Sequence, residues 1–140
     1  KVYFATKANE NFAVAELVFM LLMPGKTPYA VGSDNDAVTM IKEMKFPFAY
    51  GQSHGKYDMP GMWRFMWSHL SPLLKSSFYN TFQKGEKFSE PAKRIPVDYW
   101  INNVRKYQEE LESPYDRESL KMYPRSFKSN GRTHVPLFVK

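Results

Sequence analysis

The sequence predicts an all-α fold, and three observations carry that expectation. Residues 11–23, NFAVAELVFMLLM, are apolar on nearly every face and broken only by Glu16, as in a helix enclosed by other helices. Further on, Leu74, Phe78 and Phe82 recur every four residues. So, at helical spacing, do Val97, Trp100, Ile101, Val104, Tyr107 and Leu111. Helix punctuation stands at the ends of these segments, as Pro24-Gly25 after the first and Ser71-Pro72 before the second.

Taken in order, residues 1–10 read as an extended lead-in, with Asn9 or Asn11 available to cap the helix of 11–23. Pro24-Gly25 stops that helix, since Gly accepts the left-handed conformation and Pro cannot continue the ladder. After a loop through Pro28-Tyr29, Ser33 and Asp34 cap a second helix over 35–45, with Ala37, Val38, Met40, Ile41 and Met44 at helical spacing. Residues 46–59 hold Pro47, Gly51 and Gly55 and read as irregular. Helices follow over 61–69, 72–82 and 97–112, the last with Val97, Trp100, Ile101, Val104, Tyr107 and Leu111 inward. The loop of 83–95 separates the last two. The division is therefore 1–112 as a helical body and 113–140 as a basic, Pro-containing extension or linker. In that extension Ser129-Asn130-Gly131 is suited to turn a small C-terminal hairpin ending in 135–139.

Composition narrows the function classes. With 43% apolar residues and no long apolar run, neither a disordered chain nor a membrane-spanning one is expected. No apolar leader stands at the start, and there are no cysteines, so disulfides and Cys-ligated zinc are excluded and a cytoplasmic setting is expected. A net charge of +6 and a pI near 9.4 raise the question of nucleic acid. The basic residues are scattered opposite apolar positions, which fits a solvated surface better. Only 117–132, where Tyr123 and Phe127 mix with basic residues just after Tyr115, has the interleaving that phosphate contact and base stacking need.

The segment Glu10-Asn11-Phe12-Ala13-Val14-Ala15-Glu16-Leu17-Val18-Phe19-Met20-Leu21-Leu22, with Gly25-Lys26-Thr27-Pro28-Tyr29 after it, resembles the central helix of the large lobe of Ser/Thr and Tyr protein kinases. There an acid, an aromatic and a run of small residues open the helix, and a Gly-x-x-Pro-aromatic turn closes it. Glu90-Pro91-Ala92-Lys93-Arg94-Ile95-Pro96 is similar to the kinase pattern acidic-Pro-x-x-Arg between the last two lobe helices. Trp67-Ser68-His69-Leu70 is similar to a Trp-Ser-x-Leu segment in aromatic-rich bacterial kinase-like lobes. The resemblance covers about 5–112 and implies the C-terminal lobe of a bacterial Ser/Thr kinase.

Two residues inherit roles from that resemblance. Glu10 stands where kinases carry an Asp that holds the catalytic loop through hydrogen bonds from its backbone, a task suited to a carboxylate. Arg94 stands where kinases carry an Arg paired with the Glu of Ala-Pro-Glu, a contact that suits its planar fork. Trp63 and Phe65 lie where lobe helices dock substrates and regulators, so they are candidates for a partner surface.

The catalytic parts of a kinase are not in this sequence. It has no Gly-x-Gly-x-x-Gly, no His-Arg-Asp and no Asp-Phe-Gly. The expectation is a lobe fragment, inactive alone, with no catalytic residue, cofactor or metal of its own. ATP and magnesium belong to the intact protein, and the partners are the missing N-terminal half and a protein substrate. Such a fragment should expose an apolar patch where the other half sits, open to self-association as a homo-oligomer. A pseudokinase-type interaction scaffold and a basic helical nucleic-acid binder are the alternatives.

Other constellations carry less. His54, His69 and His134 lack metal-ligand spacing. Ser53-His54 and Ser68-His69 are adjacent residues expected to point apart. Asp34, Asn35 and Asp36 lack the Gly and terminal Glu of a calcium loop.

Overall fold

The computed structural model describes residues 6–31, 37–48, 50, 61–112, 128–129 and 132–133. They form five α-helices: α1 Lys7–Leu22, α2 Ala37–Lys42, α3 Gly61–His69, α4 Pro72–Phe82 and α5 Val97–Glu112. A 3-10 turn, Pro91–Lys93, precedes α5. The all-α expectation holds for this body. Of the expected hairpin, the described residues form two short strands, β1 Lys128–Ser129 and β2 Arg132–Thr133, paired antiparallel with Ser129 opposite Arg132. Residues 135–139, expected to complete it, lie outside the described residues.

The helix α1 starts four residues before the apolar run. Thr6, not Asn9 or Asn11, is its cap, with its hydroxyl accepting from the Asn9 N–H at 3.2 Å. Lys7, Ala8 and Glu10 are good helix formers, so the helix extends beyond the part that needs burial. At its other end Gly25 takes φ +79°, the left-handed conformation expected of a residue that reverses the chain there.

α2 ends at Lys42, before the 45 expected. Met44 adopts φ +49°, and the Lys45 N–H reaches back to the Met40 carbonyl at 2.9 Å, which closes the helix early. Its expected cap at Ser33 and Asp34 lies outside the described residues. The bounds of α3, α4 and α5 match the sequence pattern. Ser71 caps α4 as read, accepting from the Leu74 N–H at 3.2 Å, with Pro72 in the first turn.

Packing centres on one ring. Phe19 of α1 has no exposed surface and meets Phe78 edge-on at 5.1 Å, with Phe46, Phe48 and Phe82 within 6.0 Å. Phe78 stacks in turn on Trp100 of α5 at 4.9 Å. A buried polar chain runs beside it: Asn103 Nδ2 donates to Ser77 Oγ at 3.0 Å, and Ser77 donates to the Leu73 carbonyl at 2.8 Å. The Phe46 N–H donates to Gln83 Oε1 at 3.1 Å and the Lys84 N–H to the Met44 carbonyl at 2.9 Å, fastening the segment after α2 to the end of α4.

Two sequence expectations need correction. α1 is not enclosed on every side: Ala15 and Phe19, with Met23 just beyond, face inward, while Leu17 (60% exposed), Met20 and Leu21 (77% exposed) form an open apolar strip. α4, α5 and the 3-10 turn are the elements packed on α1 among the described residues, and they leave these three side chains largely uncovered. On α5 the inner stripe is Trp100, Asn103, Val104 and Tyr107, whereas Val97, Ile101 and Leu111 are exposed. The hydrogen bond from Asn103 to Ser77 makes a polar residue the inward one, which apolarity alone cannot reveal.

Candidate functional site

The loop between α4 and α5 returns to the foot of α1. There Arg94 spans 86 positions of sequence to donate from Nη1 to the Ala8 carbonyl at 3.0 Å. Its guanidinium lies over the Phe12 ring, 4.7 Å from the centroid. Arg94 Nε is buried and has no hydrogen-bond partner among the described residues, an orphaned donor on a charged group. Glu10 occupies the same first turn of α1, is exposed, and has no ion pair among the described residues. A carboxylate there complements the positive end of the helix. The corner thus holds an arginine whose buried Nε–H has no partner among the described residues and, two positions on from Ala8, an acid facing water.

Behind this corner lies Tyr29, buried, whose hydroxyl donates to the Phe82 carbonyl at 2.7 Å. Burial pushes its phenol well above the ordinary range; the charge of Glu16 adds to this and that of Arg94 opposes it. Glu16 is itself half-buried, and its carboxyl is raised by that burial. It interrupts the apolar run, and its field reaches Tyr29.

A second cluster surrounds Lys26, a residue that looks like an ordinary loop position in the sequence. It is 1% exposed, and its ammonium donates to the carbonyls of Thr27, at 2.8 Å, and of Ala30. The rings of Trp63 and Phe48 flank it, with centroids at 5.2 and 5.4 Å. No carboxylate pairs with it among the described residues, and desolvation lowers its amine to about 8.

Trp63, expected on a partner surface, is therefore partly enclosed and serves as one wall of this cage. Its Nε1–H is buried without an acceptor. The side chain of Phe65 lies outside the described residues. Beside Trp63, Met62 of α3 is exposed.

Ser68 and His69 do meet, contrary to the expectation that adjacent side chains point apart. Ser68 Oγ and His69 Nδ1 are 3.2 Å apart, because both sit where α3 gives way to the turn before α4. Lys75 donates to the Ser68 carbonyl at 2.9 Å and Tyr107 to that of His69 at 3.1 Å. Both residues are buried, and the pair ties α3 to α4 and α5. Burial also lowers the Lys75 amine to about 8. Among the described residues no His, Asp and Glu side chains are grouped to hold a metal ion, and no helix is long and apolar enough to cross a membrane.

The sequence singles out Glu10 and Arg94, and gives no sign of the burial of Lys26, the hydrogen bond of Tyr29 to Phe82 or the buried Trp100 N–H. A lysine beside a Pro-Gly turn carries no signal of burial until the rings of Phe48 and Trp63, from two other segments, are placed around it. No protein-family model, curated protein or solved structure matches the chain.

Proposed function

We propose that this chain is the helical large lobe of a bacterial Ser/Thr protein kinase, a lobe that braces a catalytic loop and docks a protein substrate but does not itself transfer phosphate. The observation that carries the reading is the reach of Arg94 to the foot of α1, with its Nε left unpaired beside Phe12. An arginine held this way has its remaining donors ready for a carboxylate, the partner that the kinase resemblance assigns to it.

Three further features support the reading. Glu10 sits on the same turn of helix, open to accept from backbone N–H groups. Gly25 has the left-handed conformation that the Gly-x-x-Pro-aromatic turn calls for, and Tyr29 at its end is buried against Phe82. The strip of Leu17, Met20 and Leu21 leaves apolar surface for another part of a kinase to cover. ATP and magnesium would be held by that other part.

The test is made on the full-length protein. It is expected to transfer the γ-phosphate of Mg-ATP to Ser/Thr peptides and to melt several degrees higher with Mg-ATP present. Arg94→Ala is expected to lower both activity and melting temperature, whereas Lys93→Ala, an exposed neighbour, leaves them unchanged. A full-length protein without Mg-ATP binding or transfer, in which Arg94→Ala is as silent as Lys93→Ala, refutes the proposal.

A further inference from the structure

An elongated groove of about 380 Å³ runs between α1 and α5, away from the Arg94 corner. Its walls are apolar, with Val18 and Leu22 on one side and Trp100 and Ile101 on the other. Arg105 and Gln108 close one end. The lining residues of α5 from Val97 to Gln108 follow one helical stripe, about 16 Å long at 1.5 Å per residue. A slot of this size with one polar end has the form of a small-molecule site.

Two donor groups belong to residues that line the groove. Trp100 is 1% exposed, and its buried Nε1–H has no acceptor among the described residues, although buried indole N–H groups normally find one; Arg105 is exposed. Arg105 has no ion pair among the described residues; Glu109, one helical turn on, makes none with it. Both groups only donate, so what completes them is an acceptor, and Arg105 favours an anionic one.

We propose that this groove binds a small amphiphilic carboxylate, its hydrocarbon chain lying along Val18, Leu22 and Ile101 and its carboxylate at the Arg105 end. The site does not rest on the kinase reading, and failure of phosphoryl transfer leaves it unaffected.

The indole N–H signals of the full-length protein, followed by NMR during titration with decanoate and separately with 1-decanol, test the site. Decanoate is expected to shift the Trp100 signal saturably and to leave those of Trp63 and Trp67 in place. Arg105→Glu, an exposed change, is expected to weaken decanoate about tenfold, the size of one lost charge-assisted contact, and to spare decanol. Ile101→Trp, also on the exposed side, is expected to fill the slot and abolish both. A Trp100 signal that does not move, equal shifts of all three indoles, or decanoate affinity indifferent to Arg105→Glu each overturns the proposal. The first of these is also the result expected if a polypeptide segment occupies the groove.

Discussion

Replacing Lys26 by methionine tests how the bundle tolerates a buried cation. The amine is enclosed by Trp63 and Phe48, and its charged form is disfavoured, so its pKa falls from the ordinary 10.5 to about 8 on folding. Between those values the unfolded chain holds a proton that the folded one does not, so stability rises with pH across that window and is flat below it. From pH 7 to about 9.5 the gain from this one residue is about 2 kcal/mol, taking 1.36 kcal/mol per pKa unit. Staying below pH 10 keeps Tyr29, whose raised phenol acts in the opposite direction, out of the measurement.

Methionine keeps the apolar stem and removes the charge, at the cost of the bonds to the Thr27 and Ala30 carbonyls. The desolvation relieved and the bonds lost are of similar size, so stability at pH 7 should change by less than about 1–2 kcal/mol. What must change is the slope. Urea denaturation at pH 7 and about 9.5 should show the wild-type gain reduced by about 2 kcal/mol in Lys26→Met, while Lys75 still contributes a gain of the same sign. An unaltered slope would mean that Lys26 keeps its proton throughout, and the account of its burial would be wrong.

Two other outcomes follow from the packing and capping. Phe19→Ala removes the ring at the centre of the aromatic cluster and is expected to cost about 3–5 kcal/mol, read as a fall in denaturation midpoint at constant m-value. Ser71→Ala deletes the cap of α4 and should cost about 1 kcal/mol, more than Thr6→Ala, whose bond is exposed at the frayed start of α1; thermal unfolding distinguishes the two.

Much of the bundle could be read from residue order. The bounds of α3, α4 and α5 follow from periodicity and from Ser71-Pro72, because caps and apolar stripes are local signals. The lead-in of α1 was not legible, since Lys7, Ala8 and Glu10 favour helix without any need to be buried. Nor was the orientation of α5: Ile101 is as apolar as Trp100, and only the bond of Asn103 to Ser77, 26 residues away, decides which stripe turns inward. At the candidate site, Arg94 and Glu10 are pointed to by a resemblance of short motifs, and the structure adds the contact of Arg94 with Ala8 and Phe12. Lys26 and the groove between α1 and α5 depend on long-range packing and had no signature in sequence.

The packing of Phe78 against two indoles has a practical result. Trp100 lies 4.9 Å from it and Trp67 6.4 Å, with Phe19 touching both Phe78 and Trp67. Two of the chromophores that dominate ultraviolet emission are thus embedded in the same cluster, on α3 and α5 respectively. Loss of any one of α1, α3, α4 or α5 from the assembly disturbs the surroundings of at least one of them, so tryptophan emission reports the integrity of the whole helical body through a single optical signal.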